Sequence, residues 1–187
     1  MPLDIAIGIL LGLAVPAVFG ESVSPMFVLI GIAFALLPDL DAVWEMIARK
    51  GKLSGKSQTI HREWLHYPLT YIPIAVLIYL LAGPTWGTLF AACITAHFLH
   101  DSIGIGWGIK WLAPFTQNSY KFFVKDQDTS HLHMIKTWQP NELTKVIKTH
   151  GDPDWIRNIY LRPSRTLIIE SLMFIVAVVV LIVLLAR

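Results

Sequence analysis

Three short groups of aspartate and histidine hold the residues that could do chemistry. They are Leu37-Pro38-Asp39-Leu40-Asp41, His61-Arg62-Glu63-Trp64-Leu65-His66 and His97-Phe98-Leu99-His100-Asp101. His97 and Asp101 are i and i+4, so on a helix they share a face one turn apart and can ligate the same ion. Asp39 and Asp41 point the same way where the chain after Pro38 is extended or turning, which a proline favours. His61 and His66 are five apart and would be offset on a continuous helix. Either one of them sits on a loop or helix cap, or the two serve different ions. The order is not His-Glu-x-x-His, which argues against a zinc-protease helix. Mixed imidazole and carboxylate donors suit a divalent zinc, manganese, iron or nickel ion, without choosing among them. Beside these ligand candidates, Arg62 offers a planar cation for a phosphate or a developing negative charge. Glu63 and His100 are the candidate general acid or base.

Each residue alone has a simpler explanation. Asp39 can cap a helix that starts at Leu40, His97 can be an interhelical hydrogen bonder, and Arg62 can be an anchor at a membrane surface. A buried Asp–His pair can also relay protons without a metal. The metal reading rests on their coincidence at one depth of the fold.

That depth follows from the elements that must carry them. The chain has 187 residues, of which 55% are hydrophobic and 15% charged, where soluble domains carry roughly 25% charged residues. Its mean hydropathy is +0.58. Such a composition argues for an integral membrane protein and against nucleic-acid binding, secretion or disorder. Cys93 is the single cysteine, which rules out a disulfide framework and a cysteine-cluster metal site. Five stretches predict membrane helices: Leu3–Gly20, Val23–Leu37, Tyr67–Gly83, Trp86–Ile103 and Thr166–Ala186. The expected fold is therefore all-α, a polytopic membrane protein of about five transmembrane helices. Residues 1–115 carry the candidate site, 116–165 form a polar cytoplasmic helical insert, and 166–187 hold the last span.

Charge placement orients this arrangement. With the amino terminus in the cytoplasm, connections 38–66 and 104–165 fall on the inner side and hold every lysine and arginine except Arg187, as the positive-inside rule requires. The first segment has no basic stretch before it, only Asp4, and is read as a retained helix rather than a signal peptide. All three Asp/His groups then lie at cytoplasmic helix ends. Val23–Leu37 would rise only about 22 Å against a hydrocarbon core of about 30 Å, which puts Asp39 below the interface. Ionisable groups at that depth face a bundle interior or a functional path.

Weaker signals surround this core. Gly104, Gly106 and Gly108 end the fourth segment and lack the strand–turn–helix setting of a dinucleotide site. His131-Leu132-His133 has the spacing of a ligand pair on a strand, but is read as an exposed loop. Within the insert, Pro140-Asn141-Glu142 predicts a helix over about 140–150, and Gly151-Asp152-Pro153 a break before another over 153–161. The insert's lysines suit anionic headgroups.

The motifs together resemble the bacterial and archaeal membrane-bound metal-dependent hydrolases, a family of inner-membrane proteins that includes a LexA-regulated member. The residues that carry the resemblance are Leu37-Pro38-Asp39-Leu40-Asp41, His61-Arg62 with His66, and His97-x-x-x-Asp101 with Gly104 and Pro114-Phe115, over roughly residues 30–115. The resemblance implies Asp39, Asp41, His61, His66, His97 and Asp101 as ligands for a metal-activated water. The chain departs from the family pattern at Leu65-His66-Tyr67, where Thr-His-Ser is usual, and at Glu63, where glycine is common. It also has no histidine before His61, where members often carry one in the first helix. The resemblance gives a reaction class and no substrate.

The leading expectation is a metal-dependent hydrolase of the inner membrane, acting at the cytoplasmic face on a lipid or lipid-linked phosphoester. A metal-ion or proton transporter is the alternative, and it predicts polar residues continuing to the outer face, where these segments are almost uncharged. A non-enzymatic regulator or scaffold would work instead through residues 116–165.

Overall fold

The computed structural model describes residues 2–48, 63–125, 131–150 and 156–186. Prolines set most of the helix starts. Helices α1 (Pro2–Val18), α2 (Pro25–Leu36), α4 (Pro68–Ala82), α5 (Pro84–Ile103) and α6 (Pro140–His150) each begin on one, because the first turn has no use for the missing N–H and the fixed φ already suits a helix. Among the described residues the other two are α3 (Leu40–Ala48), entered through a 3-10 turn over Leu37–Asp39, and α7 (Arg165–Leu185). Ser164 caps α7 by accepting a bond from the Leu167 N–H at 3.0 Å. Each of the five apolar stretches read from the sequence is thus one helix, with ends that agree to within two residues.

Their lengths differ from a uniform set of spans. Among the described residues, α7 is the one helix clearly long and apolar enough to cross a membrane. α1, α2 and α4 are shorter apolar helices, while α5 has 20 residues but carries His97, His100 and Asp101 at its end. Leu80 and Leu81 of α4 and Ile169 and Ile182 of α7 are all at least 60% exposed. Apolar side chains turned outward along whole helices are the surface that a lipid environment covers.

The chain divides into two compact units. The first comprises Met1–Pro38, Tyr71–His97 and Trp155–Arg187. Here α1 packs on α2 and on α7 through Ala6, Ile9, Leu13, Val28 and Ala177, and a second cluster joins Val15, Phe27, Ala35, Leu89 and Cys93. Glycines set the closeness of α1 to α2. A Cβ on Gly12 would come 2.6 Å from the Phe27 carbonyl oxygen, and one on Gly31 would come 2.5 Å from the carbonyl oxygen of Gly8. Small residues one turn apart let membrane helices approach backbone to backbone. Phe27 stacks on Trp86 with ring centroids 4.5 Å apart, and Phe34 meets Phe90 edge-on at 5.0 Å.

The second unit comprises Asp39–Thr70 and Phe98–Asp154, and it corrects the all-α expectation. Its insert opens with an antiparallel hairpin, β1 (Ser119–Lys125) and β2 (Leu132–Trp138). Tyr120 faces Thr137, Phe122 faces Ile135 and Val124 faces His133, the period-two pattern of one sheet face. His133 therefore stands on a strand rather than an exposed loop, with its ring 5.0 Å from that of His131. Ile109 exchanges two backbone bonds with Tyr120. Gly108, with φ at +78°, permits this, because a Cβ there would strike the Tyr120 backbone. The helix expected from 140 is α6, where the Glu142 carboxylate accepts the Gln139 N–H at 2.9 Å. Of the helix expected over 153–161, the described part is a π turn over Ile156–Tyr160.

The glycine contacts make a specific prediction. Gly12→Leu should destabilise the protein by about 1–3 kcal/mol through overpacking against backbone, whereas Leu80→Ala on the outward face should leave thermal unfolding in detergent within a degree or two. Equal effects of the two substitutions would contradict this packing.

Candidate functional site

The site is built around a buried imidazole. Trp64–His66 form a 3-10 turn in which the His66 N–H bonds the Glu63 carbonyl at 2.7 Å. That turn directs the His66 side chain inward, where it is fully buried. Three carboxylates reach it from two other segments. Asp41, in the first turn of α3, puts Oδ2 at 3.3 Å from His66 Nδ1. Asp101, near the end of α5, puts Oδ2 at 3.4 Å from Nε2, and Asp39 puts Oδ1 at 3.8 Å from the same nitrogen. Phe98 closes the site, its ring edge-on to His66 at 6.2 Å. Trp111 backs Phe98 and is fixed by donating from Nε1 to the Ser102 hydroxyl at 2.8 Å.

Electrostatics follow from this geometry. Burial by itself lowers the basicity of an imidazole, but the carboxylates of Asp101, Asp39 and Asp41 around it outweigh that and push the His66 pKa up to about 10. Three acids around one small volume demand a positive charge, and in the absence of a metal the His66 proton supplies it. Asp39 and Asp101 stand on the Nε2 side of the ring and Asp41 on the Nδ1 side, so the carboxylates with one ring nitrogen form a donor set that fits a hard or borderline divalent cation.

The end of α5 is held from outside. Lys121 on β1 donates to the Gly104 and Gly106 carbonyls at 2.5 and 2.6 Å, a cation at a helix C-terminus where the backbone carbonyls collect negative charge. The hairpin that the sequence reading missed is therefore what braces the turn after Asp101.

The other candidates fall into distinct places. His61 and Arg62 lie outside the described residues. Glu63 accepts from Tyr67 Oη at 2.6 Å and from Lys110 Nζ at 2.7 Å. His100 is half-buried and packs beside Gly104. His97 is buried in α5, one turn before Asp101, and its Nδ1 lies 3.2 Å from Asp4 Oδ1. Asp4 is the residue that sequence reasoning missed. It is 1% exposed and stands in the first turn of an otherwise uncharged apolar helix. A lone buried acid of that kind was the signal available.

Comparison with known proteins gives a family and no more. The model of the YdjM inner membrane protein family matches residues 4–187. The chain belongs to this family, and the inner membrane is its place. No curated protein and no solved structure matches the chain.

The raised His66 basicity has a consequence for stability. An imidazole protonated up to about 10 when folded, but only to about 6.5 when unfolded, stabilises fully below the lower value and loses that contribution as pH rises through the upper one. In chelator-treated protein, His66→Gln should therefore lower the melting temperature most near pH 6, with a gap to the parent that narrows by pH 9.5. A gap that is constant or widens with pH would contradict the charged cluster.

Proposed function

We propose that this protein is a metal-dependent hydrolase of the inner membrane that cleaves a lipid or lipid-linked phosphoester. One observation carries the reading: Asp39, Asp41 and Asp101, distant in sequence, converge on the buried His66. His97, four residues before Asp101, and His61 join the donor set on the strength of the sequence motif. A divalent ion held by these groups would supply a water of lowered pKa and polarise the scissile phosphoryl group. We read the chain as multi-pass with its amino terminus in the cytoplasm, from the placement of its basic residues.

The protein's own groups have separable tasks in this reading. Asp39, Asp41 and Asp101 provide the negative charge that attracts a cation. His66 must give up its proton to become a donor, so metal uptake and proton release are linked. Phe98 keeps one flank of the imidazole dry. Asp4, whose Oδ1 lies 3.2 Å from His97 Nδ1, would orient that imidazole and leave Nε2 as the donor, the usual role of a carboxylate behind a ligating imidazole. Arg62 would steady the phosphate, with Glu63 or His100 as the proton donor or acceptor.

Two measurements test this. Detergent-purified protein incubated with zinc, manganese, iron or nickel should hydrolyse a phospholipid or a prenyl phosphate, and Asp101→Asn should lower the rate by at least 100-fold at unchanged expression. Failure on every such substrate with every ion would overturn the reaction class. Asp4→Asn should weaken metal retention by roughly 10- to 100-fold without abolishing it, as loss of a carboxylate behind a ligand does. Unchanged retention would remove Asp4 from the account.

A further inference from the structure

A cavity of about 180 Å³ lies in the second unit, lined by Glu63, Trp107, Lys110, Pro140, Leu143, Thr144 and Ile147. Its walls are of two kinds. One side is the ion pair of Lys110 and Glu63, 2.7 Å apart, with Lys110 only 8% exposed. The other is the apolar face of α6, Leu143 and Ile147, together with Trp107 and Pro140. A buried lysine is costly unless its charge is met, and here Glu63 meets it while Tyr67 Oη holds the second Glu63 oxygen. Lys110 also lies 5.7 Å from the centre of the Tyr67 ring. The two opposite charges are thus fixed in place at the wall of an open space.

We infer that this cavity recognises a zwitterionic lipid headgroup that carries both a phosphate and a primary ammonium. The inference names the substrate class of the proposed hydrolase and rests on that reading for the word substrate alone. Charge complementarity selects the occupant. An ammonium head lying antiparallel to the pair sets its phosphate against Lys110, which keeps two N–H donors beyond the one given to Glu63. Its ammonium lies against the Glu63 carboxylate, so the ion pair need not open. A purely anionic phosphoglycerol head gains the lysine but meets the carboxylate uncompensated, and a lone ammonium meets the reverse. Size agrees, because at about 30 Å³ for each water in the liquid the space equals on the order of six waters. That suits a small polar head. Leu143, Ile147 and Trp107 would cover the glycerol and the first methylenes. Position agrees as well, since the backbone bond from His66 to Glu63 ties the cavity wall to the carboxylate cluster through a single 3-10 turn.

Binding can be measured without turnover. Chelator-treated protein in detergent is titrated with short-chain phosphatidylethanolamine, phosphatidylglycerol and phosphatidylcholine by calorimetry, and metal uptake of each variant is measured in a parallel sample. The ethanolamine lipid should bind at least tenfold more tightly than the phosphoglycerol lipid, and more tightly than the choline lipid, whose methyls keep the cation from the carboxylate. Glu63→Gln should erase the preference over phosphoglycerol. Leu143→Trp, which fills the cavity from α6 and leaves the ion pair intact, should abolish binding of the ethanolamine lipid while metal uptake persists. Equal or tighter binding of phosphoglycerol, or undiminished binding in Leu143→Trp, would overturn the headgroup assignment and leave the metal site standing. Headgroup binding in a protein that takes up no metal would instead overturn the hydrolase and keep the cavity.

Discussion

The arrangement depends on the need for positive charge where Asp39, Asp41 and Asp101 meet around His66. Three half-buried carboxylates around one buried imidazole repel one another more strongly than they would in water, and a cation among them relieves that repulsion. The cluster is therefore a place where the chain spends stability, and two cations can relieve it: the proton of His66 or a metal. In the proposed reading a divalent ion would satisfy several carboxylates at once and free the imidazole to act as a donor. The surrounding structure holds the cluster in place. The 3-10 turn aims His66 inward, Phe98 and Trp111 seal its flank, and Lys121 clamps the backbone just beyond Asp101.

The second imidazole shows the same logic on a smaller scale. His97 is buried in the first unit against one carboxylate, Asp4, delivered by the opening turn of α1. That contact relies on α1 being placed accurately, and the glycine-lined approach of α1 to α2 is what places it. A helix begun by Pro2 and packed through Gly8 and Gly12 leaves little freedom for the residue between them and the terminus. The packing of the apolar helices and the chemistry of the polar ends are thereby one design problem.

Much of this was legible in the chain before folding. Apolar runs marked each of the five apolar helices to within two residues, because Pro25, Pro68 and Pro84 suit a first helical turn and Gly83 and Gly104 readily end a helix. The convergence of the Asp39, His66 and Asp101 groups was also readable, from spacing and shared depth. Two features were not. The hairpin was hidden because its strands mix lysines with Tyr120, Phe122 and Val124, so their alternation is no stronger than that of an exposed helix, and its pairing partner lies across a polar connection. Asp4 was hidden because a single acid near a terminus carries topological information as easily as chemical information. Only the folded contact with His97 separates the two. The number of membrane crossings belongs to the same class, since α1, α2 and α4 are apolar enough to lie in lipid yet shorter than α7.

The most direct test is the metal content of the purified protein, measured by inductively coupled plasma mass spectrometry beside an Asp39→Ala, His97→Ala double variant. The account predicts one or two equivalents of a transition metal in the parent and less than a tenth of that in the variant. A parent that stays empty after incubation with zinc, manganese, iron and nickel would contradict it, and the buried acids and imidazoles would then be a proton path or a structural network.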